Sequence, residues 1–430
     1  MCKVFYIFIV ILIFSCSSGS QNATHIETKG ISCDAVKSAE GILISGESSL
    51  LADRSKGTSQ KDAYIANLGS STGSVKVITV GNQSDMFRLD QLASSSGFVL
   101  ASGYGMADKK ALVLGMDSDL KLNWGLVSDS LEAFEEPASS MDANGNYLVV
   151  NKNLAATPYY AYFTLLTREG KVQWTQRTDH IDALADIVSL RNNNFLIAFK
   201  QKGAYIDGGT MKKYLMASSL WVTKDGAIIQ KYKFLVDRDK FIDFNLHKCL
   251  EDSKGNIYYF GSGLLVNNRT DLFVIKTNAA GHVQWSYTYQ TGHELVIKSA
   301  DISKDDKIVI AADSYGKSGG FLLAGLGTDG KILWNNHTST TPYEQIKSVF
   351  IDKDQFIVVY DKTLQAGILY CDSKGKSCTG KSKELSIAQS NADIQLSPNN
   401  AEFEATQCRW LPLQLQTMMH NDVKLISDCK

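Results

Sequence analysis

Proline, net charge and long apolar runs are all scarce in this chain of 430 residues. Five prolines leave turn formation to 33 glycines and to the abundant Asn, Asp and Ser residues. Lys and Arg total 44 against 45 Asp and Glu, and a nearly neutral surface gives no long-range field to collect nucleic acid or an anionic membrane. No stretch reaches the length of apolar sequence that a membrane-spanning helix needs. Because the net charge is close to zero, nucleic-acid binding is not expected.

The N-terminal segment has the pattern of an export signal. Lys3 precedes an apolar run over residues 4–14, which is too short to span a bilayer. Residues 13–16 read IFSC and resemble the bacterial lipoprotein box, in which Cys16 would carry two lipid signals and anchor the chain stably. We therefore predict a signal peptide over residues 1–15 and a lipidated Cys16 with a flexible tether over 16–30. Ordinary secretion with cleavage after Ser20 is the alternative.

The remaining cysteines are even in number, as disulfide-bonded exported chains often show. The short loop CDSKGKSC makes Cys371 and Cys378 a natural local disulfide, and Cys408 with Cys429 is a second candidate pair. Buried unpaired thiols are the competing interpretation. If the source were eukaryotic, four N-x-S/T sequons would allow a secreted glycoprotein, at Asn22, Asn82, Asn268 and Asn336.

A turn followed four residues later by a large side chain recurs along the chain. The turns contain Gly73, Leu120, Gly170, Gly226, Gly281, Gly330 and Gly375. The positions four residues on are Val77, Trp124, Trp174, Gln230, Trp285, Trp334 and Thr379. Consecutive positions lie 45 to 56 residues apart, which is the period of a repeat built from one supersecondary unit.

Two further sets of short apolar runs interleave with these turns. The first set consists of seven runs that each follow a polar turn, for example GILISG from Gly41 and KIVIAA from Lys307. Others precede the turn glycine, such as DLFVIKT from Asp271. Each repeat thus contains four short strands, which predicts an all-β fold: a single β-propeller over residues 31–382, with seven four-stranded blades or eight.

The repeat of turns and short apolar runs is not recognisable in the C-terminal segment, residues 383–430. We predict that this segment closes the ring by pairing with a strand near residues 31–36, ISCDAV. A partial extra blade is the alternative.

The repeat resembles that of a known family. Residues 271–285 match the D-x-[FYW]-V-x-K-x-x-x-x-G-x-x-x-W repeat of bacterial seven-bladed propeller-repeat proteins, and Gly330 to Trp334 is similar to the repeat of quinoprotein-type propellers. The resemblance implies a seven-bladed propeller that is exported and often lipid-anchored. It implies no particular activity.

Two motif matches are better explained as blade turns than as ligand sites. GLGTDG, residues 325–330, fits G-x-G-x-x-G but precedes the strand-like KILW, whereas a dinucleotide site needs a helix there. DANGN, residues 142–146, resembles the start of a calcium loop, but Asn153 stands where the loop needs an acidic residue.

Two segments could bring titratable groups to the channel mouth. They contain Asp179, His180, Asp182 and Asp186, and Asp243, His247 and Cys249. Both lead into the first strand of a blade, so they should approach the propeller axis. None of the seven histidines has H-x-x-x-H or H-x-H spacing, so we predict no metal site, no catalytic residue and no cofactor.

The sequence favours a lipid-anchored propeller of the bacterial cell envelope that serves as a binding or scaffold module, with an unknown protein or glycan as partner. A polysaccharide lyase or hydrolase on the same scaffold is the rival hypothesis. An enzyme should bring acidic and His residues with perturbed pKa values to one channel mouth, and a scaffold should show an apolar patch.

Overall fold

Every described part of the chain is strand, turn or irregular backbone. The computed structural model describes residues 23–427 apart from 27–29, 39–40, 49–61, 70–74, 82–86, 130–133, 154–159, 180, 208–209, 238, 316–318, 340–343, 363–364, 378–380, 399–403, 407–409, 414 and 421–424. No helix in this part of the chain is long and apolar enough to cross a membrane.

Seven antiparallel sheets form the blades of a propeller, and the first described strand, β1 (Ala23–Ile26), belongs to the last of them. Blade 1 contains β2 (Gly30–Lys37), β3 (Gly41–Ser48), β4 (Asp62–Gly69) and β5 (Val75–Gly81). Blade 2 contains β6 (Phe87–Ser95), β7 (Phe98–Gly105), β8 (Ala111–Asp117) and β9 (Leu122–Ser128). Blade 3 contains β10 (Phe134–Met141), β11 (Tyr147–Asn153), β12 (Tyr160–Leu166) and β13 (Val172–Asp179). Blade 4 contains β14 (Ile181–Ser189), β15 (Phe195–Asp207), β16 (Thr210–Val222) and β17 (Ile228–Leu235).

The remaining blades follow the same order. Blade 5 contains β18 (Phe241–Glu251), β19 (Ile257–Leu265), β20 (Thr270–Thr277) and β21 (Val283–Gln290). Blade 6 contains β22 (Glu294–Ile302), β23 (Ile308–Tyr315), β24 (Phe321–Leu326) and β25 (Ile332–Ser339). Blade 7 contains β26 (Glu344–Asp352), β27 (Gln355–Lys362), β28 (Gln365–Cys371) and β1. The predicted all-β, seven-bladed propeller is confirmed.

The ring closes in blade 7 through β1. This strand pairs antiparallel with β28, from Ala23 opposite Leu369 to Ile26 opposite Ala366. The fourth strand of blade 7 thus comes from the N-terminal side and not from the run after Gly375. The expected position Thr379 lies outside the described residues.

The C-terminal segment adds a fifth strand to every blade. Its strands are β29 (Lys381–Lys383), β30 (Ala388–Asn391), β31 (Gln395–Pro398), β32 (Glu404–Ala405), β33 (Trp410–Pro412), β34 (Gln416–His420) and β35 (Leu425–Ser427). They pair in turn with the outer strands of blades 6, 5, 4, 3, 2, 1 and 7. We call residues 381–427 the belt, because they encircle the propeller against the direction of the blades. The last belt strand, β35, pairs with the N-terminal strand β1, whereas residues 31–36 lie in β2 at the inner edge of blade 1. The other belt strands extend the existing sheets, and the described residues of this segment form no partial extra blade.

The core consists of seven apolar clusters, one between each pair of neighbouring blades. Between blades 5 and 6, for example, Tyr258 and Phe260 pack against Ile297 and Ile310. Each blade therefore buries both faces of its sheet against its neighbours, as the repeat predicted.

The recurring turn and Trp join consecutive blades. Trp124, Trp174 and Trp334 each occupy the third position of the fourth strand of a blade. The Nε1–H of Trp124 donates to the Arg168 carbonyl in the turn of the next blade, at 2.9 Å. A Cβ on Gly170 of that turn would lie 2.7 Å from the Trp124 ring. Gly in the turn thus provides both a positive φ and the space for a ring from the preceding blade.

Candidate binding site in the central channel

The first strands of all seven blades surround a central cavity of about 1240 Å³. Pockets of 300–1,000 Å³ commonly hold small ligands, so this channel has room for a ligand of that class. Among the described residues its lining is a mixture of Lys, Arg and Asp side chains with small apolar ones.

Every first strand carries a β-bulge, and the bulged residue of every blade lines this cavity. In each blade the pairing with the second strand shifts register at an equivalent point, for example between Ile297 and Ser299 in blade 6 and between Ile346 and Ser348 in blade 7. Blades 4 and 5 each show one further shift nearer the start of the first strand. The bulged residues that line the cavity are Cys33, Asp90, Pro137, Ala185, His247, Lys298 and Lys347. We call these seven residues the bulge ring. Bulges redirect side chains and often lie beside binding sites.

The ring is chemically uneven. Blades 3 and 4 contribute Pro137 and Ala185, whereas blades 5 to 7 contribute His247, Lys298 and Lys347. Pro is tolerated at a bulge because no ladder hydrogen bond needs its missing N–H. One side of the channel is therefore apolar at this level and the other is basic.

Most channel cations are paired with a carboxylate. Lys298 Nζ lies 3.7 Å from Asp313 Oδ2, and Lys347 Nζ lies 3.1 Å from Asp361 Oδ2, both on the second strand of the same blade. The distance from Arg88 Nε to Asp90 Oδ1 is 2.5 Å.

Carboxylates from three blades connect the inner strands to the next blade. Asp34 Oδ2 accepts the Leu92 N–H at 2.8 Å, and Asp301 Oδ2 accepts the Ile351 N–H at 2.7 Å. The inner strands of neighbouring blades share no ladder hydrogen bonds, so these side chains satisfy backbone donors that would otherwise face a neighbouring sheet. Burial raises the pKa of Asp34 to about 6, although the Leu92 N–H opposes the shift.

The two predicted segments do meet beside the channel. Asp186 Oδ2 accepts the Cys249 N–H at 2.8 Å, and Asp186 Oδ1 lies 2.9 Å from Lys248 Nζ. Burial raises the pKa of the Cys249 thiol well above its usual range, so this cysteine is a structural thiol and not a nucleophile. Asp243 pairs with Lys200 at 3.4 Å.

The other members of these segments are less informative. His180 and the side chain of Asp179 lie outside the described residues, and Asp182 is on β14. In the described part of the chain, no three His, Cys, Asp or Glu side chains come together in a way that could hold a metal ion.

His247 is the bulged residue of blade 5. Its Nε2 is buried and has no hydrogen-bond partner. Burial and the charges of Lys298 and Lys200 lower the pKa of His247 to about 4, so the ring is neutral at pH 7. A neutral imidazole facing a polar channel can donate or accept one more hydrogen bond.

Of the seven residues of the bulge ring, only His247 was among the sequence predictions. A signal was present: an aliphatic residue, any residue, a polar residue and an apolar one recur in IKSA at 297–300, IKSV at 346–349 and LHKC at 246–249. Two residues that both reach a polar space interrupt the alternation of a strand, which is how a bulge shows in sequence.

A match to the P-loop pattern G-x-x-x-x-G-K-S, at residues 375–382, was also absent from those predictions. A P-loop joins a strand to a helix whose N-terminus holds phosphate. Here the segment joins β28 to β29, the first belt strand, and no helix follows in the described residues. The match is a coincidence of turn composition. GLGTDG and DANGN are hairpin turns as predicted: the Gly330 N–H donates to the Gly327 carbonyl, and Asp142 accepts the Asn144 and Asn146 N–H groups.

The remaining sequence predictions concern modification. Cys371 is a buried free thiol on β28, and its disulfide with Cys378 is not shown, because Cys378 lies outside the described residues together with Cys16, Cys408 and Cys429. Asn336 is buried in blade 6, so a folded chain could not carry a glycan there. Asn268 is exposed in a turn.

Comparison with known proteins identifies no relative that would assign an activity. No family model and no curated protein matches the chain. A protein of unknown function from Dyadobacter fermentans aligns in structure over 82% of this chain and 98% of its own, at 12% identity and a TM-score of 0.44. A mutant of the Synechocystis apocarotenoid oxygenase aligns over 91% and 97%, at 10% identity and a TM-score of 0.44.

Proposed function

We propose that the protein is an exported, lipid-anchored binding module that takes a ligand into its central channel. The observation that supports this most directly is the bulge ring, because seven separate bulges direct seven side chains into one cavity. A bulge interrupts the ladder and redirects a side chain, so a bulge repeated in every blade favours a binding role for the channel.

The state of the channel carboxylates favours binding over catalysis. Asp301 accepts the N–H groups of Ile302 and Ile351, and Asp186 is paired with Lys248. A general acid or base must exchange a proton with the substrate. Asp301 already accepts backbone N–H groups and Asp186 is already paired with a lysine, so these carboxylates connect neighbouring blades instead.

The anchor is proposed from the sequence, since Cys16 precedes β1 by only six residues. Six extended residues reach at most about 20 Å. Lipidated Cys16 would therefore hold blade 7 close to the membrane at the start of β1. This geometry suits a protein that captures a ligand at the surface of the envelope.

Native mass spectrometry of protein purified gently from the membranes of its host tests both parts of the proposal. We expect an N-terminal Cys16 with acyl mass and a co-purifying small molecule. Ala183→Trp, which fills the channel from β14, should remove the small molecule, whereas Ala279→Trp on an exposed turn should retain it. A ligand retained equally by both variants would place binding outside the channel. An unmodified N-terminus near Gln21 would refute the anchor.

A polysaccharide-active enzyme is the second candidate, and the raised pKa of Asp34 favours it. A carboxyl with a pKa of about 6 beside a cavity is partly protonated near neutral pH and could act as an acid. Its test is turnover of acidic and neutral polysaccharides by the wild type and by Asp34→Asn. Turnover by the wild type that Asp34→Asn abolishes without unfolding would support the enzyme over the binding module.

A further inference from the structure

One arc of the channel wall presents three cations and one neutral imidazole to the cavity. It contains Arg88, His247, Lys298 and Lys347, which we call the basic arc. The arc continues from blade 5 through blades 6 and 7, and Arg88 of blade 2 ends it beside Cys33. Charge couples its members: Lys298 acts on His247, while both Lys347 and Arg88 act on the Cys33 thiol.

The cations lie nearer the cavity than the carboxylates that balance them. The Lys298 side chain is 32% exposed, whereas that of its partner Asp313 is 5% exposed. For Lys347 and Asp361 the values are 21% and 12%. Asp313 is also held in the wall, because its Oδ1 accepts the Ile346 N–H at 2.9 Å. At these two ion pairs a molecule in the channel would meet the ammonium group before the carboxylate. Elsewhere the cavity is also lined by carboxylates, among them Asp90, Asp301 and Asp352.

The basic arc has unused hydrogen-bonding capacity. An ammonium has three donors, and the ion pair with one carboxylate uses only part of them. The buried Nε2 of His247 also has no partner, and an unsatisfied buried polar atom costs free energy. The Lys298 and Lys347 ammonium groups and the Arg88 guanidinium together would bind the oxygens of an anion.

The opposite wall sets a second requirement. Pro137 and Ala185 of the bulge ring and the neighbouring Leu184 are small or apolar. They offer a surface for C–H groups and no partner for charge. The ligand should therefore be an anion on one side and apolar on the other.

Resting on the proposed channel function, we infer that the basic arc is a binding site for a small organic anion, a carboxylate or sulfate carried on a skeleton with an apolar flank. Acidic saccharides have this chemistry, since their rings present C–H faces next to carboxylates. Free organic acids share it. The channel is wide enough for either source.

Calorimetric titration with matched probes tests the inference. Trigalacturonate should bind the wild-type protein, maltotriose of equal length should bind at least tenfold more weakly, and inorganic sulfate should compete weakly because it lacks the flank. Binding of trigalacturonate should weaken as NaCl rises, because exposed charges are screened.

Variants of the arc complete the test. Lys298→Met combined with Asp313→Asn removes the cation without leaving a buried unpaired carboxylate, and the Asn Oδ1 can still accept the Ile346 N–H. We expect this double variant to weaken trigalacturonate binding about tenfold. Lys347→Met combined with Asp361→Asn should have the same effect. Lys298→Arg keeps the charge and should retain binding. Lys331→Met, on an exposed turn outside the channel, is the control.

The outcomes separate this inference from the proposed function. If maltotriose binds as tightly as trigalacturonate and the Lys variants bind normally, the channel is a ligand site but not an anion site. If neither trigalacturonate nor sulfate binds at millimolar concentration, the anion site is also refuted. The proposed function fails independently, when the filled channel of Ala183→Trp leaves the co-purified ligand in place.

Discussion

The turn glycines show at the scale of a residue why this sequence repeats. Gly170 has a φ of 79°, and the Trp124 ring occupies the space that a side chain would need. Gly97 has a φ of 72°, and a Cβ added there would meet no described atom within 4 Å. Leu120 takes the same turn geometry at a φ of 63° without being a glycine, and its side chain is buried between blades 1 and 2. Burial there offsets the strain of the left-handed backbone.

These two glycines provide a matched pair of substitutions. We expect Gly97→Ala to lower the free energy of unfolding by about 1 kcal/mol, from the positive φ alone. Gly170→Ala should lower it by about 1–3 kcal/mol more, because the added methyl group displaces the Trp124 ring. Denaturant unfolding measures both values. Equal losses would show that the ring moves aside freely and that the Gly–Trp contact contributes little.

A second prediction concerns His337 in blade 6, which is fully buried, lacks partners for both ring nitrogens and stacks on His293 at 4.7 Å. Burial, with the neighbouring His293 and Lys383, lowers its pKa to about 4. The unfolded chain binds a proton near pH 6.5, so the wild type should lose stability as the pH falls from 6.5 to 4. We expect His337→Phe to gain stability over the wild type across this window, by up to about 3 kcal/mol.

Unfolding curves at a series of pH values check this prediction. His282→Phe changes an exposed histidine on a turn and serves as the control. The stability difference between His337→Phe and the wild type should grow toward pH 4, whereas that of the control should stay flat. Parallel curves for His337→Phe and the wild type would contradict the buried, neutral state of His337.

At the scale of an element, the belt depends on a few side-chain contacts as well as on short ladders. Asn335 of β25 accepts the Leu385 N–H at 2.7 Å through Oδ1 and donates to the Leu385 carbonyl at 3.1 Å. Thr338 and Ser382 hydroxyls lie 3.2 Å apart across the same junction. These contacts hold the start of the belt on blade 6.

Removing the hydrogen bonds between Asn335 and Leu385 should loosen the belt locally. Asn335→Ala loses two hydrogen bonds, and we expect faster hydrogen exchange at the β25–β29 junction with a stability loss of about 1–2 kcal/mol. Asn123→Ala, an exposed asparagine on β9, should change neither. Unchanged exchange in Asn335→Ala would mean that the ladder alone holds the belt.

The bulges and the belt mark the limit of what the sequence predicts. Trp174, Trp285 and their turn glycines gave blade number and strand order, because a large ring packed on a turn requires particular residues at fixed spacing. The bulge at Lys298 changes register by one residue and leaves only a brief break in alternation. Belt strands such as Glu404–Ala405 are so short that no periodicity can appear, and backbone pairing accepts almost any side chain. Although His247 was among the predicted residues, the basic arc as a whole could not be predicted, since its members come from four blades that meet only in the folded ring.

At the scale of the whole molecule, the ring is closed by a single short strand. β1 pairs with β28 on one side and with β35 on the other. Lys37 of blade 1 also pairs with Asp352 of blade 7 at 2.9 Å. Blade 7 is therefore complete only when three distant parts of the chain have come together.

Removing β1 tests this closure. A chain starting at residue 30 should lose cooperative thermal unfolding and associate through the exposed edge of β28, since unpaired strand edges recruit other strands. A chain starting at residue 22, which retains β1, should melt in one sharp transition and elute as a monomer. Size-exclusion chromatography with calorimetry distinguishes them. Equal behaviour of both chains would show that the inter-blade clusters close the ring without β1.

The pairing of β1 with β35 also has a consequence for how the molecule is made. β1 leaves the ribosome before its partner β28, and its second partner β35 follows only after the rest of the belt. Every blade likewise keeps an open outer edge until the belt passes it in reverse order. A chain interrupted before residue 381 would thus lack the outer strand of all seven blades at once. Proteases would encounter open edges on such fragments and would spare molecules in which the belt is in place.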